Sequence, residues 1–336
     1  MKRLYENRYY NFIVNNSSLL LFVIIFAFFA LTARNFFTVD NFLSIVKNAS
    51  FIGMLAVGMT FPLLTAGIDL SVGSNMYLST VVAGLLMRQH EIPVMLGLLI
   101  AVGVGALYGT FNGFCIVKLR IIPFMATLAT LVMGRGLGTY LTDSVQVDLP
   151  ERVNSFGQFR LIGIPMPVIV FMIVLAFAMY ILQLHPLGRQ IYAIGNDAEA
   201  ATKAGINTGR VTWTAYILCG AIAGLAGFIL ASQVMRVDRS FGDTYELDAI
   251  AAAVIGGTSL FGGVGSAQGA VFGAILLQMV ETGLVFRSVN LYLQPMVKAM
   301  VIFIAVFFDG LRTANLARLR RRFIRTDAEP EGGVVL

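Results

Sequence analysis

The sequence predicts an all-α polytopic membrane protein with about ten transmembrane helices, some of them broken or re-entrant, and with both termini in the cytoplasm. Of its 336 residues, 57% are hydrophobic and only 12% are charged, whereas a soluble domain carries about 25% charged residues. The apolar residues also form runs of roughly 20, the length that an α-helix needs to cross a bilayer.

That length rule predicts ten spans, at 17–33, 48–66, 72–87, 92–117, 122–141, 164–184, 211–232, 247–257, 267–286 and 291–309. The eighth is too short to cross alone, because a helix rises only about 1.5 Å per residue. We interpret it as a half-helix that continues through a Gly-rich segment. Glycines at every fourth position in the fourth, seventh and ninth spans predict close helix packing.

The basic residues orient these helices. Fourteen Lys and Arg residues fall on the side that holds both termini, and eight fall on the other side. The positive-inside rule therefore places residues 1–16 and the tail 312–336 in the cytoplasm, on either side of a membrane domain at 17–311. The basic part of the tail is also suited to contact anionic lipid headgroups. Because the basic residues lie mostly in short loops and at the ends, a nucleic-acid partner is not expected.

A polar stretch, Gly67–Ser74, separates the second and third predicted spans. It contains the carboxylate of Asp69 and the hydroxyls of Ser71 and Ser74. Irregular backbone within a membrane survives only where protein covers it or where it lines a water-filled cavity, and an intramembrane Asp suggests function by default. Two interpretations stay open: Asp69 only caps the following helix, or the stretch also lines a pathway.

A second Gly-rich stretch follows the eighth span and contains Gly256, Gly257, Thr258, Gly263 and Gly265. It ends in Val-Gly-Ser at the start of a span, as the first stretch does. By the predicted topology both turns lie toward the cytoplasmic side. Paired broken segments in the two halves of a chain indicate a substrate route in transporters.

Several kinds of chemistry are missing from the sequence. No G-x-x-x-x-G-K-[ST] motif occurs, so the chain is not expected to work as a P-loop ATPase by itself. The two histidines, His90 and His185, are far apart in the sequence, and we predict no metal site and no catalytic residues. The intramembrane charges Arg135, Glu281 and Lys298 are interpreted as structural, with Glu281 and Lys298 as an ion pair.

Three loops suit contacts with other proteins. In the loop 185–210, Gly195-Asn196-Asp197 predicts a cap for a helix from Ala198 to Ala204, with Glu199 and Lys203 on one face and small residues on another. Such a helix fits a groove on a partner. The outer loops 142–163 and 235–246 carry mixed charges that suit reversible docking. For all three, a merely solvated connection is the alternative.

Four motifs resemble a known family: GIDLSVGS at 67–74, KLRIIPFMATLATLVMGRG at 118–136, YAIGNDAEAATKAGI at 192–206 and ELDAIAAAVIGGTSLFGGVGS at 246–266. They are similar to permeases of bacterial sugar ABC importers of the ribose, xylose, arabinose and galactose type. The resemblance runs over nearly the whole chain, in the same order.

The resemblance implies a permease subunit of the inner membrane that pairs with a second copy or a similar permease. It implies two cytoplasmic ABC ATPase subunits, which bind ATP-Mg, and a periplasmic binding protein that delivers a monosaccharide. The chain itself would bind no cofactor. The loop 185–210, hereafter the coupling segment, would contact the ATPase through Asn196, Glu199, Ala200, Ala201 and Gly205. The route would lie near Asp69, Ser71, Ser74 and the segment 256–265.

Other functions remain open at this point. Permeases for branched-chain amino acids or nucleosides share this helix plan, although a charged amino acid would favour a paired ion in the route. A secondary carrier or channel would move solute without ATP. A membrane scaffold is disfavoured, because broken Gly-rich segments are costly in a purely structural bundle.

Overall fold

The computed structural model describes residues 17–33, 36–304 and 307. Its long helices are α1 (Ser17–Thr32), α2 (Val39–Leu64), α3 (Val72–His90), α4 (Val94–Val117), α5 (Pro123–Leu141), α7 (Met166–Met179, continued by a π-helical turn at Tyr180–Leu184), α10 (Thr208–Val234), α11 (Tyr245–Ile255), α12 (Ala267–Phe286) and α13 (Gln294–Ile304). Three short helices connect them: α6 (Glu151–Gly157), α8 (Pro186–Asn196) and α9 (Ala198–Lys203).

The prediction of an all-α polytopic membrane protein is confirmed. Each predicted span coincides with a helix. Among the residues that the structure describes, five helices are long and apolar enough to cross a membrane: Val39–Leu64, Val94–Val117, Met166–Leu184, Thr208–Val234 and Ala267–Phe286. The number ten and the cytoplasmic placement of the termini stay predictions. The N-terminal segment 1–16 and the tail 312–336 lie outside the described residues.

The boundaries differ most at α2, which begins nine residues before the predicted position 48. Thr38 caps this helix by accepting a hydrogen bond from the backbone N–H of Asn41. The side chain of Asn41 donates in turn to the carbonyl oxygen of Phe36, at 2.7 Å. The polar residues from 39 to 48 therefore belong to the first turns of a helix that the hydropathy rule had cut short.

Helix α10 lies at the centre of the bundle and packs closely on α4. A methyl group added to Gly105 would overlap the carbonyl oxygen of Gly220, and one added to Gly109 would overlap that of Tyr216. Small residues allow two backbones to approach this closely and gain dispersion contacts that hydrophobic burial does not supply within lipid. The predicted role of these glycines in helix packing agrees with this geometry.

Two short two-stranded sheets lie in the connections at one end of the bundle. Strand β1 (Val147–Asp148) pairs antiparallel with β4 (Arg236–Val237), and β2 (Arg160–Leu161) pairs with β3 (Ile164–Pro165). Neither outer loop is simply a solvated connection. Val147, Leu149 and Val153 are buried in the first loop, and Phe241 and Gly242 are buried in the second.

Candidate functional site

A buried polar cluster surrounds the turn that joins α2 to α3. One carboxylate oxygen of Asp69, Oδ1, accepts hydrogen bonds from the backbone N–H and the hydroxyl of Ser71, at 2.9 and 2.6 Å. The side-chain amide of Asn112, on α4, donates to the Ser71 hydroxyl at 2.7 Å. Asp69, Ser71, Ser74 and Asn112 are all buried. The carboxylate therefore stabilises the turn that precedes α3 and not the first turn of the helix itself.

The cluster continues through α4 and α5. Thr130 donates its hydroxyl hydrogen to Oδ1 of Asn112 at 2.8 Å. The hydroxyl group of Tyr108 lies 2.9 Å from that of Ser74 and donates to the backbone carbonyl of Thr130. Tyr108 and Thr130 also line an open, mainly apolar cavity of about 510 Å³ between α4 and α5. Of the predicted pathway hydroxyls, only that of Ser74 is one hydrogen bond away from this cavity.

The depth of the cluster follows from its helical neighbours. Asn112 lies five residues before the end of α4, and Tyr216 lies eight residues after the start of α10. At about 1.5 Å per residue, these positions are on the order of 8–12 Å inside the ends of their helices. Tyr216 donates to the carbonyl oxygen of Ile68 at 3.4 Å. The broken segment 65–71 thus reaches from one end of the bundle well into its interior.

The two Gly-rich segments meet at that end of the bundle, where the coupling segment also lies. The backbone N–H of Gly263 donates to the carbonyl oxygen of Leu64 at 3.0 Å. A methyl group on Gly195, in α8, would overlap both of these groups. Gly263 has a φ of +72°, a left-handed conformation that favours glycine. We call this contact of Leu64, Gly195 and Gly263 the backbone joint.

Side chains reinforce the backbone joint. The hydroxyl of Tyr192, in α8, donates to the carbonyl oxygen of Gly265 at 2.8 Å, and burial raises the pKa of this tyrosine. The Asn196 side chain lies against Gly263. The coupling segment and the second Gly-rich segment are therefore held together at two places, by Tyr192 on Gly265 and by Gly195 and Asn196 on Gly263.

The remaining predicted pathway residues lie where α11 ends against α12. A methyl group on Gly256 would overlap the carbonyl oxygen of Gly269, and Gly257 ends the helix with a φ of +89°. The side chain of Thr258 is fully buried against Gly265. Among the described residues its hydroxyl oxygen has no hydrogen-bond partner. The predicted pathway residues therefore lie in three places: the polar cluster, the backbone joint and the contact of α11 with α12. Their role in a substrate route stays a prediction.

The predicted helix after Asp197 is present as α9. Asp197 caps it by accepting from the backbone N–H of Ala200 at 2.9 Å, and Glu199 forms an ion pair of 2.8 Å with Lys203. Gly205 follows with a φ of +83°. Ala200 is exposed but Ala201 is buried, so only part of the predicted alanine face is free.

No helix was predicted between Leu184 and Ala198, where the structure has α8. Pro186 occupies the first turn of the helix, where a proline costs no hydrogen bond. Gly188 fits because its missing side chain allows close approach to the carbonyl oxygens of Ile181 and Leu182. The sequence does contain one signal for this helix. Ile191 and Ile194 are apolar and three residues apart, which is the spacing of one helix face, and both are buried.

The three intramembrane charges named from the sequence, Arg135, Glu281 and Lys298, each have a partner. Arg135 donates to the carbonyl oxygens of Phe241 and Arg239, at 2.5 and 3.3 Å. Lys298 lies 3.9 Å from Glu281, as the sequence predicted, but only 2.6 Å from Asp248. The closer partner lies on α11, so this ion pair fastens the short helix to α13. Asp248 was not predicted as the partner of Lys298, because it lies at the start of the span 247–257, which was interpreted as a half-helix.

Comparison with known proteins places this architecture in a family. The chain is 36% identical over 304 residues to the ribose import permease protein RbsC of Haemophilus influenzae, covering 89% of this chain and 94% of the relative. It is 37% identical over 303 residues to RbsC of Escherichia coli K12, with the same coverage. It is 33% identical over 333 residues to the autoinducer 2 import system permease protein LsrC of Yersinia pseudotuberculosis, covering 95% of this chain and 94% of the relative.

No solved structure matches the chain. Residues 41–306 match the family described as branched-chain amino acid transport system / permease component. Because this match spans well over half of the chain, the protein belongs to that family of membrane permeases.

Proposed function

We propose that this protein is the membrane-spanning permease subunit of an ATP-driven ABC importer for a monosaccharide or a closely related polyhydroxylated solute. The observation that carries the proposal is the similarity to ribose import permeases along 89% of the chain. That similarity includes both Gly-rich segments and the coupling segment. The protein would act in the bacterial inner membrane, with both termini in the cytoplasm.

The coupling segment is the proposed docking site for a cytoplasmic ATPase subunit. The chain carries no P-loop motif, and in this proposal the partner subunits bind ATP-Mg and hydrolyse it. Glu199, Ala200 and Lys203 are exposed on α9, and the backbone joint connects α8 to both broken segments. Movement of the ATPase subunits would therefore reach the membrane helices through α8.

The polar cluster supports an uncharged, hydroxyl-rich solute. Hydroxyl and amide groups predominate around Asp69, and the intramembrane Arg135 and Lys298 are already paired with protein groups. An amino acid carries a charged end group that would favour a free partner charge in the route. Nevertheless, the family description names branched-chain amino acids, which makes a branched-chain amino acid permease the second candidate.

The other proposed partners follow from the same architecture. A periplasmic binding protein would deliver solute to the outer loops. There the exposed Glu151 and Arg152 of the first loop, together with Arg88 and Glu91 at the end of α3, surround an open cavity of about 540 Å³. A second copy of the chain, or a similar permease, would complete the translocation unit.

The test is reconstitution of the protein with its ATPase in lipid vesicles. ATP hydrolysis and solute uptake are measured with binding proteins loaded with ribose, xylose, arabinose, galactose, an autoinducer 2 preparation or leucine. We expect one sugar-type ligand to stimulate both activities. Stimulation by leucine alone would favour the second candidate, and ATP-independent passage of solute through the protein alone would contradict the proposal.

A further inference from the structure

Two segments of the chain share the pattern Asp-x-Ser-x-Gly and the same turn. They are Asp69–Gly73, before α3, and Asp238–Gly242, before α11. In the first, Asp69 Oδ1 accepts from the N–H and hydroxyl of Ser71 at 2.9 and 2.6 Å. In the second, Asp238 Oδ1 accepts from the same groups of Ser240 at 2.8 and 2.6 Å. We call these segments the first and the second turn.

The two turns enter the bundle from opposite ends. Helix α2 leads into the first turn and α10 leads toward the second, and these helices are antiparallel because Gly58 packs on Ile222 while Gly67 packs on Tyr216. Each turn leads into the next long helix, α3 after the first turn and α11 after the second. The turns are thus related as the corresponding parts of an inverted repeat, the arrangement in which transporters build their moving halves.

The turns touch each other through their glycines, and the contact is reciprocal. A methyl group on Gly73 would overlap the carbonyl oxygen of Gly242. A methyl group on Gly242 would lie 2.8 Å from the carbonyl oxygen of Gly73 and 3.5 Å from the Cβ of Met76. Backbone therefore faces backbone at the two glycines. Beside them the carboxylate of Glu246, in the first turn of α11, packs on Gly73 and would also overlap a methyl group placed there. The contact between the turns thus includes this one side chain.

The two turns are anchored unequally. The first is buried, and Asn112, Thr127 and Tyr216 from three helices bond to its Ser71 hydroxyl or to the adjacent Ile68 carbonyl. In the second, Arg239, Ser240 and Asp243 are exposed. The hydrogen bond from the Ser240 hydroxyl holds the pKa of Asp238 below its ordinary value, so this carboxylate stays ionised and keeps accepting the bonds of the turn near neutral pH.

Arg135, on α5, fastens the second turn. It donates to the carbonyl oxygens of Arg239 and Phe241, and its guanidinium lies 3.4 Å from the carboxylate of Asp243. The central carbon of the Arg135 guanidinium also lies 5.5 Å from the centre of the ring of Tyr77, a residue of α3. Arg135 therefore holds the second turn in place against the start of α3.

We propose that the Gly73–Gly242 contact separates once per transport cycle and that the second turn is the part that moves. Arg135 is the positioning residue that restores the contact. This inference rests on the proposed function as an ATP-driven importer. It adds to that function the place at which the two turns part.

The test is a reversible cross-link between Met76→Cys and Gly242→Cys. Their β-carbons would be about 3.5 Å apart, within the range of a disulfide. The matched control is Val147→Cys with Val237→Cys, which are direct partners in β1 and β4. This control disulfide fixes the start of the outer loop 235–246 to β1 but does not join the first turn to the second. Wild type treated with the same oxidant controls for the native Cys115 and Cys219.

In reconstituted vesicles, oxidation of the Met76→Cys/Gly242→Cys variant should lower uptake at least tenfold, and a reductant should restore it. Oxidation of the control pair should change uptake less than twofold. The inference is overturned if the cross-linked turns still transport within twofold of the reduced protein, or if the control bridge blocks uptake equally. Absence of ATP-driven uptake in untreated wild type would instead contradict the proposed function.

A second measurement applies if the Gly242→Cys variant does not fold. Arg135→Gln should lower the solute imported per ATP hydrolysed at least threefold, and Arg135→Lys should recover part of this loss. A structural role alone would lower the amount of folded protein and leave that ratio unchanged. An unchanged ratio in Arg135→Gln would overturn the inference.

Discussion

The hydroxyl of Tyr192 donates a 2.8 Å hydrogen bond to the carbonyl oxygen of Gly265, and so joins the exposed coupling segment to the Gly-rich segment between α11 and α12. Three residues after Tyr192, Gly195 meets Gly263 and the end of α2. Such direct contacts would allow a displacement of α8 to be transmitted to α2 and to the segment between α11 and α12. The predictions below test this connection and the structures that support it.

Replacement of Tyr192 by Phe should weaken coupling without unfolding the protein. The change removes one partly buried hydrogen bond, worth about 1 kcal/mol, which corresponds to roughly fivefold in an equilibrium. We expect the solute imported per ATP hydrolysed to fall by a factor of about two to five. Tyr292→Phe is the control, because Tyr292 is 91% exposed. Equal ratios in Tyr192→Phe and wild type would contradict the role of this bond.

Replacement of Gly195 by Ala should disrupt the backbone joint. The added methyl group would overlap the Leu64 carbonyl and the Gly263 N–H, and such overpacking typically costs about 1–3 kcal/mol. We expect a lower midpoint of thermal unfolding in detergent together with loss of solute-stimulated ATP hydrolysis. Gly103→Ala is the matched control, since its methyl group would meet no described atom within 4 Å. Equal effects of the two substitutions would argue against the joint.

Replacement of Asp69 by Ala should destabilise the protein more than replacement by Asn. Alanine leaves the N–H and hydroxyl of Ser71 without their acceptor in a buried site, and each buried unsatisfied group costs about 1–3 kcal/mol. Asparagine keeps an oxygen that can accept both bonds. Thermal unfolding of the purified variants measures the difference. An Ala variant as stable as wild type would show that the turn does not depend on this carboxylate.

Replacement of Lys298 by Met should loosen α11. The side chains of Lys298 and Asp248 are only 19% and 13% exposed, and removal of one partner of a buried ion pair costs about 3–5 kcal/mol. The double substitution Lys298→Met with Asp248→Leu should recover much of this stability, because the one carboxylate that then lacks its cation, Glu281, is 45% exposed and stays hydrated. Thermal unfolding of the three proteins forms the measurement. A double variant less stable than Lys298→Met would contradict the assignment of the pair.

Much of this fold could be predicted because apolar runs and glycine spacing report directly on helices in lipid. The helices and the cap by Asp197 are local features, which a sequence shows. The backbone joint was not predictable, since it brings together Leu64, Gly195 and Gly263 from three distant parts of the chain. The same holds for the partner of Lys298, which depends on how α11 lies beside α13.

The pairing of the two turns shows the same limit. The pattern Asp-x-Ser-x-Gly is visible twice in the sequence, but only one copy lies between apolar runs that draw attention to it. The other follows α10 in a loop of mixed charge, where it resembles an ordinary solvated turn. The contact of Gly73 with Gly242 depends on antiparallel packing of α2 and α10, and this packing is a property of the folded bundle.

The most direct test of the account is ATP-driven uptake by a variant whose coupling segment cannot dock. The double substitution Glu199→Arg with Ala200→Arg changes two exposed residues of α9, and Leu119→Arg adds a positive charge at an exposed position in the connection between α4 and α5. We expect the double variant to insert normally but to lose ATPase binding and uptake, while Leu119→Arg keeps both. Full uptake with the double variant would contradict the central claim that ATP hydrolysis reaches the permease through this segment.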